Sequence, residues 1–407
     1  MDITIRPVGE DQFDAFDRAV GSGFGYFSSE EELVNIRERY HRGFNRRVFA
    51  AFDGEQMVAT GINVPMTMTM PGGTLLPMAA VTAITTRPTH RRRGLITSII
   101  RTLLDDAEAP GDPIAGLWAS ESVIYGRFGY GLAIESDTWE LERQYAAFAS
   151  SAPADGTLRM VDSVPDARAT YEQVWERARS TQPGMPERTE RMWDVRLLTQ
   201  GDGTIQFAVL YEEDGRCDGY ACYRIRLDSN SGLPQNEVNI QELIAVTDAA
   251  HAALWRFVCS LDLTKTIRAS NRAVDDPLPW MLADPRRLAR RRRDAIWLRI
   301  IDVARTLEAR TYGIAGSLVL DVIDVFRSQS GGRFRLTSDG ATATCERTDA
   351  PADLTLSAAD LAAIYLGATS CSELARAGRI EEHTAGALRT ADAMFATERA
   401  PWCPQGW

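Results

Sequence analysis

Residues 81–104 read VTAITTRPTHRRRGLITSIIRTLL. An apolar run ends in threonines, a short loop carries three arginines and a glycine, and Ile96, Ile99, Ile100, Leu103 and Leu104 then recur on one helical face. The first turn of such a helix has backbone N–H groups without intrahelical partners, pointing outward at the positive end of the helix dipole. With Arg91, Arg92 and Arg93 they make a place for a diphosphate, and Gly94 lets the backbone approach it closely. The competing reading is a solvated basic turn ahead of a helix. The loop has neither the GxxxxGK[ST] of a Walker A motif nor the GxGxxG of a dinucleotide fold. Its text is Arg91-x-x-Gly94-x-Ile96.

A second segment, WASESVIYGRFGYG at 118–131, continues from the next apolar run, PIAGLWAS. Ser120 and Glu121 end that predicted strand, Tyr125 falls on a short helix, and Gly129-Tyr130-Gly131 closes a turn. For Tyr125 the plain alternative is an ordinary packed aromatic.

The elements that must position these residues are legible. ITIRPV at 3–8 alternates like a half-buried strand, and Phe13, Phe16 and Val20 space a helix. Ser28 and Ser29 ahead of Glu31 and Glu32 make a capping-box pattern, with Leu33, Ile36 and Tyr40 on one face of the next helix. Residues 47–73 predict a strand, an Asp-Gly turn, a long strand and a Pro-Gly-Gly turn, and 75–86 a central strand. The text SSAPADG at 150–156 marks a boundary. Beyond it come a strand LRMVDS, a helix over Tyr171–Arg179, a hairpin at 206–226, a strand EVNIQELIAV and a helix AALWRFVCSLDL. This repeats the plan of the first part without its glycine-bearing basic loop. A third segment carries SLVLDVIDV, GGRFRLTSDG, ATATCERT and DLTLSAADLAAIYLG. The class is α+β (mixed α/β), in three domains at 1–145, 155–297 and 298–407.

Composition narrows the function. The chain has 407 residues, 44% hydrophobic and 25% charged, with a net charge of −11. It is globular, no apolar run is long enough to span a bilayer, and no signal peptide opens it, so a cytoplasmic protein is expected, without a membrane partner. An acidic chain disfavours nucleic acid and attracts cations. The run Arg286–Arg293 is read at helical spacing as an interdomain or subunit salt-bridge face rather than a nucleic-acid patch. Six cysteines without a CxxC pair and four histidines argue against structural zinc, and the cysteines read as scattered reduced thiols rather than disulfides.

The Arg91-x-x-Gly94-x-Ile96 loop resembles the [QR]-x-x-G-x-[GA] loop of the GCN5-related N-acetyltransferases (GNAT), with Ile96 standing where a small residue is usual. Taken with WASESVIYGRFGYG and the DLTLSAADLAAIYLG text, the whole chain resembles the actinobacterial Eis (enhanced intracellular survival) acetyltransferases. The resemblance implies two tandem GNAT-like domains, the second degenerate, and a C-terminal sterol-carrier-protein-like domain. It implies acetyl-CoA as co-substrate, no metal, and a homohexamer. By match, Ile84, Thr85 and Thr86 would hold the pantetheine arm, and Arg92, Arg93, Gly94, Leu95, Ile96 and Thr97 the pyrophosphate, with Ser120 and Glu121 as further contacts. Tyr125 matches the general acid. The general base would be the carboxylate of Trp407, where the family pattern ends in phenylalanine.

An alkylammonium must lose a proton before it attacks a thioester, and a carboxylate can take it while a phenol protonates the departing thiolate. Small cationic amines such as aminoglycosides are the implied acceptors. Glu30–Glu32, Glu121 and Glu381–Glu382 fit a cation-attracting mouth, although Glu30–Glu32 also read as a plain helix start. Phe24, Tyr26 and Phe27 line a pocket or simply pack. Two other functions compete: a lipid-binding protein with a vestigial GNAT domain, and a protein lysine N-acetyltransferase.

Overall fold

The computed structural model describes residues 3–26, 29, 47–150, 156–198, 205–228, 232 and 234–407. Ser28, Glu31 and Glu32 of the expected capping box, the expected helix with Leu33, Ile36 and Tyr40, Phe27, Glu30 and most of the 150–156 boundary lie outside the described residues. In chain order the strands are β1 (Ile3–Pro7), β2 (Arg47–Asp53), β3 (Gln56–Thr69), β4 (Leu75–Thr86), β5 (Ile114–Trp118), β6 (Gly131–Glu142), β7 (Thr157–Met160), β8 (Ile205–Glu213), β9 (Arg216–Arg226), β10 (Asn236–Ala245), β11 (Thr264–Arg272), β12 (Ala289–Ile300), β13 (Gly316–Ile323), β14 (Gly332–Ser338), β15 (Ala343–Arg347), β16 (Leu354–Ser357) and β17 (Ile380–Glu382). The helices that matter to the site and its supports are α1 (Phe13–Phe24), α2 (Leu95–Glu108), α3 (Arg168–Arg179), α4 (Asp248–Ser260), α5 (Ala358–Tyr365) and α6 (Ala387–Phe395).

The chain divides into two compact units, one of residues 1–134, 296–398 and 407, the other of 135–295 and 399–406. In the first, β1, β2, β3 and β4 form an antiparallel meander. β5 returns parallel to β4 through α2, and residues 296–300 of β12 run antiparallel to β5. The predicted apolar stripe of α2 is the buried one: Leu95, Ile99, Ile100, Leu103, Leu104 and Ala107. Each such large side chain contributes roughly 1.5–3 kcal/mol by leaving water. Gly61 of β3 lets the helix close on the sheet, since a Cβ there would stand 2.7 Å from Ile99 and 2.8 Å from Leu103.

The same unit contains a five-stranded sheet in the order β15-β14-β13-β16-β17, antiparallel except for the β13–β16 pair. It docks tightly. Fully buried Arg327 reaches Asp105 and Glu108 on α2, the latter at 2.5 Å. A Cβ on Gly131 would overlap the carbonyl oxygen of Ala359 on α5 and come within 2.8 Å of the Ala363 nitrogen.

In the second unit β7, β8, β9 and β10 form another antiparallel meander, β11 lies parallel to β10 through α4, and β6 pairs antiparallel with β11. This is the β1–β5 plan again, strand for strand. The hairpin β8–β9 turns on Asp214-Gly215, both at positive φ, as an Asp-Gly pair favours. The arginine run is not one helical face: Arg286 and Arg287 close a single 3-10 turn, Pro285–Arg287. Arg290–Arg293 lie on the exposed start of β12, where Arg292 meets Asp137 at 3.1 Å and Arg293 donates to Asn271. Alternation in a strand and spacing in a helix cannot be told apart when every residue is the same type.

All six cysteines are free thiols, five of them buried. Among the described residues no helix is long and apolar enough to cross a membrane.

The Gly131 approach gives a test of how tightly the two sheets of the first unit are joined. Gly131→Ala should cost about 3 kcal/mol, the upper end for overpacking, read as a drop in the denaturant midpoint. An unchanged midpoint would mean that β6 and α5 do not meet this closely.

Candidate active site

The site begins with an irregularity in β4. Its pairing with β3 slips between Thr60 and Ile62, whose partners are Thr85 and Thr82, so Ala83 and Ile84 together oppose the single residue Gly61 and β4 carries one extra residue. Ala83 takes a left-handed φ of 52°, and its carbonyl accepts a 2.7 Å hydrogen bond from the Thr60 hydroxyl. Such bulges bend a strand and re-aim its remaining residues. β4 and β5 pair only over Met78–Ala80 with Ile114–Gly116, and beyond this they part.

Trp407 stands in that parting. Its indole N–H donates to the Val81 carbonyl at 3.1 Å, and the Thr82 hydroxyl donates to its main-chain oxygen at 3.1 Å. Its ring edge lies 3.6–3.7 Å from where a Cβ on Gly116 would be. The Val81 carbonyl, which has lost β5 as a neighbour, is thereby satisfied.

A cavity of about 500 Å³ opens beside the strand ends. Ile84, Thr85 and Thr86 of β4 line it, as do Arg92, Gly94, Leu95, Ile96 and Thr97 at the start of α2, and Ser120, Glu121 and Tyr125 beyond β5. The structure thus brings together all but two of the residues matched in the sequence. Arg93 is exposed and lies outside the wall, and Trp407 is held on β4 instead of lining the cavity. His90, Arg91, Arg127, Gly23 and Phe24 line it as well. Arg91 was visible in the sequence as part of the basic cluster, and Phe24 as one of the aromatics that line a pocket or pack. Gly23, near the end of α1, carried no spacing signal that pointed to the site.

The mouth of α2 is built for an anion. Gly94 is its N-cap at φ 78°, no side chain caps it, and its first turn carries no acid. Arg92 also has a positive φ, of 63°, so the loop curls its amides inward. A Cβ on Gly94 would meet nothing within 4 Å, so the clearance there opens outward. His90 ties the loop down through Asp53 at 3.2 Å. In a chain of net charge −11, two arginines and an uncapped helix start fit a diphosphate.

The second unit makes the contrast. Its β9–β10 ladder slips between Ile240 and Glu242, repeating the bulge. But Thr247 caps α4 by accepting from the Ala250 N–H, and Asp248 occupies the first turn. An acid and a satisfied cap leave no anion site. Where β10 and β11 part, Trp402 donates to the Asn271 carbonyl at 2.5 Å and Arg272 donates to the Leu243 carbonyl at 3.1 Å. Buried Arg188, stacked 3.5 Å over Trp175, pairs with Glu242 at 2.6 Å and donates to Gln405 at 2.5 Å.

Tyr125 sits between two single turns, Ser122–Ile124 and Gly126–Phe128, and is 5% exposed. Burial, and then the charge of Glu121, raise its pKa above that of an ordinary phenol. It stays protonated across the neutral range and can donate. Glu381 and Glu382 do not line the cavity; Glu382 instead accepts from the N–H groups of Gly386 and Leu388 at the start of α6. Tyr26 is half exposed, and Phe24 stands in the wall.

A bulged strand, a parting between parallel strands and an open glycine-entered helix define a GNAT acetyltransferase. The model of the acetyltransferase (GNAT) domain matches residues 4–133 and, in a second form, 184–300, and that of the sterol carrier protein domain matches 303–404. An N-acetyltransferase of Streptomyces avermitilis is 39% identical over 415 residues, covering 99% of this chain and 98% of its own. The N-acetyltransferase Eis of Mycobacterium tuberculosis is 36% identical over 356 residues, 85% and 84% of the two chains. The crystal structure of Eis1 from Mycobacterium abscessus aligns over 100% of both chains with a TM-score of 0.87 at 29% identity. The chain belongs to the Eis family of GNAT N-acetyltransferases, with tandem GNAT domains and a sterol-carrier-like domain. It is an acetyltransferase that uses acetyl-CoA.

Gly94 carries a direct test of the anion cradle. Gly94→Ala places a Cβ in the open mouth and strains the left-handed backbone by about 1–2 kcal/mol. The KM for acetyl-CoA should rise about tenfold or more with kcat nearly unchanged. A kcat loss at constant KM would place the diphosphate elsewhere.

Proposed function

We propose that the chain transfers the acetyl group of acetyl-CoA to primary amines of small polycationic acceptors, of which aminoglycosides are the type. Acetyl-CoA supplies the acetyl group as a thioester. The wall at Arg92, Gly94, Leu95, Ile96 and Thr97, joined by Arg91, binds the diphosphate, and the bulged end of β4 at Ile84, Thr85 and Thr86 offers backbone groups to the pantetheine arm. Arg93 serves at most as a field at the surface. Ser120 and Glu121 complete the coenzyme wall.

Tyr125 is the general acid and donates its hydroxyl proton to the departing sulfur. The carboxylate of Trp407 is the general base and takes a proton from the ammonium of the acceptor. The observation that carries this reading is the meeting of three features in one small region. A protonated, buried phenol shares its cavity with the open helix start, and Trp407 is hydrogen-bonded to β4 just ahead of the bulge. Negative net charge draws the cationic acceptor, and Phe24 offers it an aromatic face. The homohexamer implied by the family resemblance belongs to the same proposal, and light scattering at six chain masses supports it while a monomer refutes it.

Thiol release from acetyl-CoA with an aminoglycoside panel tests the activity. Comparable or faster turnover on lysine peptides would move the assignment to a protein acetyltransferase. Tyr125→Phe should lower kcat about 10²–10⁴-fold, as for loss of a general acid; near-full turnover overturns its role. A one-residue extension past Trp407, which displaces the carboxylate, should lower kcat by a similar factor.

The pH profile carries a further expectation. Since burial and Glu121 raise the phenol pKa, Tyr125 remains an acid until pH exceeds its ordinary value of about 10. The alkaline limb of kcat assigned to Tyr125 should therefore lie above pH 10, and should vanish in Tyr125→Phe.

A further inference from the structure

The segment just after Tyr125 is held by charges that acetyl transfer does not itself require. Arg299, at the end of β12, is fully buried and pairs with Asp324, which is 7% exposed. Its guanidinium lies against Gly129, where a Cβ would overlap Nη1 and stand 2.8 Å from Cζ. Gly129 takes φ 82°, which suits a residue without a side chain at this turn. Nε and Nη1 of Arg299 have no hydrogen-bond partner, nor has the hydroxyl of Tyr130, which is completely buried. The Arg299 charge acts on Tyr130, and Tyr130 meets Tyr125 edge-on at 6.0 Å between ring centroids.

Asp324 works in a second direction. Its other carboxylate oxygen accepts from the N–H groups of Phe326 at 3.1 Å and Arg327 at 2.8 Å. Phe326 packs edge-on against Phe128 at 5.0 Å and lies under the Arg101 guanidinium of α2 at 4.6 Å. Arg327 grips Asp105 and Glu108 farther along α2. One carboxylate therefore organises a loop that touches both the Tyr125 segment and the helix whose start forms the anion cradle.

We infer that Arg299 and Asp324 are positioning residues that hold the Tyr125 hydroxyl in register with the α2 mouth, so that the sterol-carrier-like domain takes part in catalysis through this brace. The inference rests on the reading of Tyr125 as general acid. A buried ion pair is a costly way to fill a core, and apolar residues of similar volume commonly replace one without loss of stability. A pair kept only for packing would therefore be dispensable.

The paired variant Arg299→Met with Asp324→Leu tests this. Its kcat should fall about 10–100-fold, as for a misplaced catalytic group, with the KM for acetyl-CoA and the thermal midpoint close to those of the parent. In a Tyr125→Phe background the same pair of changes should leave kcat within about twofold, since the group being positioned is gone. Parental kcat in the folded paired variant, or an equal loss in both backgrounds, overturns the inference. If the paired variant does not fold, Arg299→Lys keeps the cation and drops the planar donors facing Gly129 and Tyr130; a kcat loss supports the brace and parental kcat overturns it. Full turnover in Tyr125→Phe alone would overturn the general-acid reading itself. A loss there with none in the paired or lysine variant overturns only the positioning role.

Discussion

The candidate active site depends on two parallel strands that stop pairing. β4 and β5 share a ladder only to Ala80 and Gly116. Past that point backbone groups of β4 face outward without a strand beside them, and buried backbone polar groups must be satisfied somehow. The bulge at Ala83 and Ile84 reinforces the parting, because one extra residue against β3 turns the rest of β4 away. An extended arm with amide groups of its own is a natural partner for such an edge, and the open start of α2 lies beside it to take a diphosphate. The Trp407 indole on the Val81 carbonyl shows one of these groups already satisfied by a side chain.

The second unit shows the same backbone solution put to a different end. It keeps the strand order, the parallel return through a helix and the bulge. Its helix is closed by Thr247 and Asp248, and its parting is occupied by Trp402 on the Asn271 carbonyl and by Arg272 on the Leu243 carbonyl. The difference between an open and a closed repeat is therefore local. It lies in whether the helix start presents glycine and arginine or threonine and aspartate.

One half of that difference was read in the sequence, the missing glycine-bearing basic loop of the second repeat; the Thr247 cap and Asp248 were identified only in the structure. Also legible in the sequence were α2, the strands around it and the hairpins, through periodicity and Asp-Gly turns. Arg93 was not separable from Arg91 and Arg92, since three neighbouring arginines differ only in backbone direction, and Arg92 has a left-handed φ that no pattern announces. The helical spacing expected for the 286–293 run was wrong for a similar reason: four consecutive arginines have no period, and Arg290–Arg293 open a strand, although Arg287 and Arg292 do form ion pairs. Contacts between residues far apart in the chain, such as Arg299 with Asp324 or Arg327 with Asp105, leave no trace in local spacing at all.

The third domain raises the question of why an acetyltransferase should keep a sterol-carrier-like sheet. Its charges give a structural answer that needs no lipid. Arg310 is buried without a carboxylate; it donates to the carbonyls of Tyr365 and Phe395, which end α5 and α6, and burial lowers its pKa. Two helix C-termini, each the negative end of its dipole, take the place of an acid. Arg327 binds outward from this domain to α2, and Asp324 reaches out to Arg299 of β12 beneath the Gly129 turn. A carrier domain hung on an enzyme as a separate module would be expected to meet it through exposed polar surface. This one meets it through buried arginines and a glycine pressed against a helix backbone, so the N-terminal sheet and the C-terminal sheet form one folded body and the first cannot be regarded as complete without the second.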